Sequence, residues 1–399
     1  MPLGWIDFSA KDRSKVLNVL DLLSESGTLD ELGIAPVRDG FADLFFPGTS
    51  TIQTRAKYFL MVPYILKDME LGHETNPNRM LRVIDEIERN CAKQLMGQRD
   101  IEGIIGRRAL SQNRWVKRTP ADIYWAGIRN YGIFTGGRLS LSEYVRAICA
   151  LKSQKETLAR LGNRADNAED NDADDKDAGG ISAMRFWRIP TYQETWKVTL
   201  KMTLTPDEGH FLKSQITHLF PDSMLGYILR ENRKEILECR RFQDLSSIMH
   251  TFPDQVQYDY NLASAFSDFI YVIRTIYNII ISEGKNEAAN REWETLKPDQ
   301  PEIAAVNLEA IFDRLGIQRN VFLCAFLMRC REMMRLGDLD GMILEIKRRE
   351  RDLKQSRAKT LHAGEFNPDD WYGGGELDYR FPNARVLIKD IFESEGSLC

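Results

Sequence analysis

Three groups of residues in this chain have types and spacing that bear on chemistry, and each concerns a charged ligand. The first is FFPGTSTIQTRAKYF, residues 45–59. Pro47 and Gly48 make a turn, and Ser50 with Gln53 fits a capping box, so a helix is expected to begin near Thr51. The free N–H groups of a helix start attract anions. Ser50, Thr51, Arg55 and Lys57 are therefore candidate phosphate ligands, with the Thr49 hydroxyl beside them. Lys57 would share a face with Ser50, and Arg55 with Thr51. A nucleotide P-loop is excluded, because the second glycine and the Gly-Lys pair are missing. The plainer reading is a well-capped helix with basic side chains lying along it.

The second group spans residues 104–144. Between Arg107 and Arg129 there are six basic residues and one acid, Asp122, interleaved with Trp115, Tyr124 and Trp125. Thr119, Pro120 and Asp122 mark a helix start, with a helix running to about Tyr131, where Gly132 stops it. Ile133 to Leu139 then reads as a hairpin around Gly136-Gly137. Helix, helix and short hairpin is the plan of a winged helix-turn-helix, placed here at residues 101–145. In that plan Arg129 and Asn130 are base-edge readers and Arg138 contacts phosphate. Arg107, Arg108, Arg114, Lys117 and Arg118 complete the candidate nucleic-acid surface. The plainer reading is an ordinary helical subdomain with Ile123, Trp125 and Ile128 in its core.

The third group is DLDGMILEIKRRERDLKQSRAK, residues 338–359. Asp340, Glu345 and Lys347 resemble the two carboxylates and lysine of a metal-dependent nuclease. Their spacing is short, and Ile343, Ile346 and Leu353 instead fit a charged amphipathic helix. From Lys347 to Lys359 seven basic residues face two acidic ones, a second potential phosphate-facing surface. His210 and His218 stand too far apart for helical metal pairing, so no metal and no cofactor is expected. No nucleophile motif announces itself.

These groups must be positioned mostly by helices. Periodicity predicts a capped helix after Ser9 carrying Val16, Leu17, Leu20 and Leu23, and an amphipathic helix over residues 79–96. Thr205, Pro206 and Glu208 form a strong helix start. TWKVTLKMTLT alternates with period two and predicts a half-exposed strand. Residues 164–180 are acidic and lack large apolar side chains, which predicts a solvated linker. The expected architecture is thus a mostly α, multi-helical, two-domain protein with a few short strands. It has an N-terminal domain at 1–163, the linker at 164–180 and a C-terminal domain at 181–399.

The net charge is −5, with 54 basic and 59 acidic residues, so nucleic-acid binding would need local patches. The apolar window at residues 262–281 carries Asp268, Arg274 and Asn278, which predicts a buried helix and no membrane partner. Six cysteines without pairing rhythm fit a reduced, cytoplasmic protein.

The opening LGWIDFS, the run FFPGTSTIQTRAKYFL and IYWAGIRNYGIF resemble an uncharacterised bacterial domain-of-unknown-function family. The resemblance is best over the first 140 residues. It implies a DNA-linked setting among mobile or phage-defence genes and transfers no catalytic residue. The leading expectation is a DNA-binding or scaffolding component without chemistry of its own, within a bacterial defence or DNA-processing assembly. A metal-dependent nuclease and a protein-interaction adaptor are the alternatives.

Overall fold

The computed structural model describes residues 30–98, 102–165 and 186–396. The expected helix after Ser9 and most of the acidic 164–180 segment lie outside the described residues. In chain order the main helices are α1 (Ala35–Phe45), α2 (Tyr58–Leu71), α3 (Pro77–Met96), α4 (Arg107–Leu110), α5 (Pro120–Asn130), α6 (Leu141–Ala165) and α7 (Pro206–Leu219). They continue with α8 (Met224–Arg230), α9 (Asp254–Ile281), α10 (Glu287–Leu296), α11 (Leu308–Leu315), α12 (Val321–Leu336), α13 (Leu339–Lys354) and α14 (Phe381–Ser394). The chain is mostly α-helical, as its periodicity predicts.

The helices form two compact units, and both are discontinuous in sequence. One comprises Met1–Phe41 with Gln257–Leu377, the other Ala42–Val256 with Asp378–Cys399. This differs from the expected division at 164–180, because described segments on both sides of those residues pack in the same unit. An acidic stretch marks a solvated segment, whereas a domain boundary is set by which apolar faces find each other.

In the first unit α9 is the central helix. Phe266, Phe269, Ile270, Ile273, Ile276 and Tyr277 are all buried. It is long and apolar enough to cross a membrane by length and composition, yet 72% of its apolar window is buried inside the fold. Asn278, fully buried, earns its place by exchanging two hydrogen bonds with the Tyr372 backbone, at 2.8 and 2.9 Å. Glu350 accepts from the Tyr277 hydroxyl at 2.8 Å and from the N–H groups of Lys359 and Thr360. These two buried polar side chains are thus satisfied within the fold.

In the second unit α2 is central. Its residues 58–66 are buried on every face, and it packs on α3 and α5. Asn76 caps α3, with Pro77 at its first position. The capping box on Thr205 forms as predicted, with Glu208 reaching back to the Thr205 N–H at 2.8 Å.

The expected strand at 195–205 does not form. Trp196, Leu200, Met202 and Leu204 are buried in line with the alternation, but Val198 is 79% exposed and residues 195–199 make turns. With no strand alongside, its carbonyls are met by side chains of α3 and of the turn that follows it. Gln94 Nε2 donates to Lys197 O at 2.6 Å and Gln98 Nε2 to Leu200 O at 2.6 Å. The expected hairpin at 133–139 is also absent. Among the described residues the only bridge joins Phe134 to Trp187, with Thr135 N–H donating to Phe186 O and Arg188 N–H to Ile133 O, both at 2.8 Å. The residues after Gly137 are taken by the start of α6, where Ser140 and Glu143 cap each other. The winged helix-turn-helix plan therefore lacks its wing.

Candidate nucleic-acid interface

The 45–59 stretch is built as a clamp. No helix begins at Thr51; α2 begins at Tyr58. Only part of the predicted capping box exists, a bond from Ser50 N–H to Gln53 Oε1 at 3.1 Å. Arg55 is 8% exposed, and its Nε donates to both carboxylate oxygens of Asp390 at 3.0 Å. Asp390 also accepts the Ala56 N–H at 2.8 Å. Burial raises the Asp390 carboxyl, and the Arg55 hydrogen bond opposes that rise.

Lys57, 7% exposed, donates to Glu208 at 2.6 Å. Tyr124 accepts from the N–H groups of Thr54 and Arg55 and donates to Arg55 O at 2.8 Å. Gly48 sits against Gly127 so closely that a Cβ at 127 would lie 2.4 Å from the Gly48 carbonyl oxygen. Neither Arg55 nor Lys57 is free for a phosphate, and Ser50 and Thr51 have no helix start behind them. Spacing alone could not reveal this, because both partners, Glu208 and Asp390, are remote in sequence.

The basic 107–138 segment is different. Gly106, at φ 83°, begins a lobe made of the single-turn α4 and the return leg to Thr119. A Cβ on Gly106 would meet the Trp115 ring at 2.5 Å, so glycine lets that ring close over the turn. Two acids one turn apart on α3 hold the return leg. Asp85 accepts Trp115 Nε1–H at 2.7 Å, and Glu88 accepts the Ala121 N–H at 2.7 Å. Glu88 is 1% exposed, and burial pushes its carboxyl up to about 8, against the lowering effect of the Ala121 bond and Thr119. Sequence reasoning passed over Asp85 and Glu88. The available signal was an acid at position 88 within the apolar stripe Met80, Ile84, Cys91 and Leu95.

The lobe leaves its cations outward. Arg107, Arg108, Arg114 and Lys117 are exposed and Arg118 half-buried; Arg138, past the C-terminal end of α5, is exposed as well. None of the six pairs with a carboxylate among the described residues; Arg114 donates only to Gln112 Oε1. Some exposed arginines elsewhere pair, as Arg335 with Glu332 and Arg348 with Glu345, both under 3 Å, while others, such as Arg82 and Arg319, have no carboxylate partner among the described residues. Arg129 departs from its expected role. It is half-buried and spends its guanidinium on the carbonyls of Arg138 and Leu139 at 3.2 and 3.4 Å. Burial, then the nearby Arg138 charge, lowers its pKa. Asn130 stays exposed at the end of α5.

The third group does not converge. Asp340, Glu345 and Lys347 lie on one helix, α13, where Glu345 points away from the face that Asp340 and Lys347 share two turns apart. Glu345 is buried beneath Arg329 and Arg348, at 2.7 and 2.8 Å. Burial alone would raise its carboxyl, but the two arginines outweigh that and leave it lowered. No carboxylate, histidine and cysteine cluster fit for a metal occurs among the described residues. The basic run at 347–359 is also largely spent. Arg349 donates to Leu32 O at 2.9 Å, and Lys354 and Lys359 both pair with Glu31.

Residues 1–149 match a family of unknown function, DUF6361. That agrees with the resemblance carried by the 45–59 stretch and IYWAGIRNYGIF, and the matched span contains the 45–59 stretch and the basic lobe but not Glu208 or Asp390. No curated protein and no solved structure matches the chain.

Proposed function

We propose that the protein is a nucleic-acid-binding component whose contact surface is the basic lobe of residues 106–118, extended by Arg138. One observation carries this reading. Five cations fall within residues 107–118 with no acid among them, on a chain of net charge −5, and none has a carboxylate partner among the described residues. Clustered unpaired Lys and Arg are the electrostatic footprint of phosphate binding. The lobe is also held in place before any ligand arrives, by Trp115 on Asp85 and Ala121 on Glu88, which reduces the ordering cost of binding. The reading assigns no chemistry to the protein. Titration of a fluorescein-labelled DNA duplex into the full chain tests it. Binding should weaken steeply between about 50 and about 200 mM salt. Binding that is absent or indifferent to salt refutes it.

A second reading, as a protein-interaction adaptor, draws on the first unit. Phe312, Val321, Cys324, Ala325 and Met328 line a shallow apolar hollow of about 300 Å³ along α11 and α12. Val321 and Phe322 beside it are 65% and 84% exposed. Exposed apolar groups at one place fit a protein contact better than a phosphate one. The Phe322→Ser variant, compared with the parent chain in a pull-down from the native host, tests that reading; equal recovery of partners counts against it.

A further inference from the structure

Resting on the reading of the basic lobe as a nucleic-acid contact, we infer that it grips duplex DNA through phosphates alone, without reading sequence. Major-groove reading requires a helix that can enter the groove and present side chains to base edges. The lobe's own helix, α4, is four residues long. On α5, where a recognition helix is expected, Tyr124, Trp125, Gly127 and Ile128 are buried. The exposed positions of α5 are Asp122, Ala126 and Asn130. Asp122 is committed to the Thr119 capping box and brings negative charge to the face. Arg129, the strongest base-reading candidate, is tied to backbone carbonyls. What remains outward on the lobe is four cations, Arg107, Arg108, Arg114 and Lys117, with Ser111, Gln112 and Asn113 on the turn between them, and no helix long enough to carry these into a groove.

The same surface argues against a single strand as the preferred ligand. Single strands are held by stacking bases on exposed aromatic rings, a contribution of about 1–3 kcal/mol per base. Tyr124, Trp125, Tyr131 and Phe134 are all under 10% exposed. Trp115 closes over Gly106 with its Nε1 on Asp85, so its ring is committed within the lobe. A duplex needs no stacking platform, since its phosphates already face outward at high charge density. Phosphate contacts position a protein on the duplex and carry no direct sequence information.

The experiment uses the full chain with three probes at one low salt concentration. They are an A·T-rich duplex and a G·C-rich duplex of about 20 base pairs, and a mixed-sequence single strand of equal length. The two duplex affinities are expected to agree within about fivefold, the ratio that about 1 kcal/mol represents. The single strand is expected to bind more weakly than either duplex. Arg114→Gln with Lys117→Gln should weaken both duplexes by the same factor, as phosphate contacts do. A larger preference between the duplexes, a single strand that binds as tightly as they do, or a variant that weakens only one duplex overturns the inference. Absence of binding to all three probes instead overturns the functional reading beneath it.

Discussion

Substituting Glu88 by Gln should make the protein more stable at alkaline pH while leaving it nearly unchanged in acid. Glu88 lies in the apolar face of α3, 1% exposed, with Oε1 on the Ala121 N–H and Oε2 without a partner. Its carboxyl rises from an ordinary 4.5 to about 8, chiefly through burial. The groups that face it are Asp85 on its own helix, Asp122 on α5, and the hydroxyls of Tyr58 and Thr119. No cation pairs with it among the described residues. Below pH about 4.5 both folded and unfolded chains hold the proton. Between about 4.5 and about 8 only the folded chain holds it, so unfolding releases a proton and stability falls as pH rises. A shift of about 3.5 units at about 1.4 kcal/mol each sets a ceiling of about 5 kcal/mol. Relaxation and water entry around the ionised group lower that, and a gain of about 2 kcal/mol for the variant at pH 9 is expected. Glutamine keeps the shape and the acceptor for Ala121 but never ionises. Because all other groups are shared, their titration cancels in the difference between the two proteins. Urea denaturation followed by circular dichroism at about pH 5, 7 and 9 measures it. A difference that does not change with pH, or a variant less stable at pH 9, refutes the reasoning.

Further outcomes follow from the same contacts. Arg55→Ala strands the buried Asp390 carboxylate and should cost about 3–5 kcal/mol in denaturation experiments, while Arg55→Met with Asp390→Leu should recover much of that loss. Asp85→Ala should lower the melting temperature and weaken duplex binding by loosening Trp115, whereas Asp85→Asn, which keeps an acceptor for the indole N–H, should restore both. Glu345→Gln should destabilise by about 1–3 kcal/mol, because Arg329 and Arg348 lose their shared carboxylate. Added Mg²⁺ should leave the melting temperature of both the parent and the Glu345→Gln chain unchanged.

Helices were the legible part of this chain, because caps and amphipathic stripes are local. Thr119 and Thr205 begin helices where their capping boxes place them. The long apolar α9 is buried despite Arg274 and Asn278, whose partners lie in the loop at residues 372–375. The strand at 195–205 misled because alternation reports a half-buried segment, and only a neighbouring strand turns that into a sheet. Here the neighbour is α3, and two glutamines supply the hydrogen bonds. The 45–59 stretch misled for a related reason. Its Arg and Lys look available until Asp390 and Glu208, each more than 150 residues away, close on them. The basic lobe was legible as composition, since no acid lies between Arg107 and Arg118 to pair with its cations. Which of its residues are structural was not, because the burial of Arg129 depends on the course of residues 138–139.

The central claim is that the five unpaired cations of the lobe, together with Arg138, meet phosphates. The slope of log affinity against log salt for a DNA duplex tests it most directly. If all six engage, counterion release predicts a slope of about −5 for the parent chain. Replacing Arg107, Arg108, Arg114 and Lys117 with Gln should bring it to about −2, with the melting temperature unchanged. A variant that remains folded and keeps the parent slope contradicts the account.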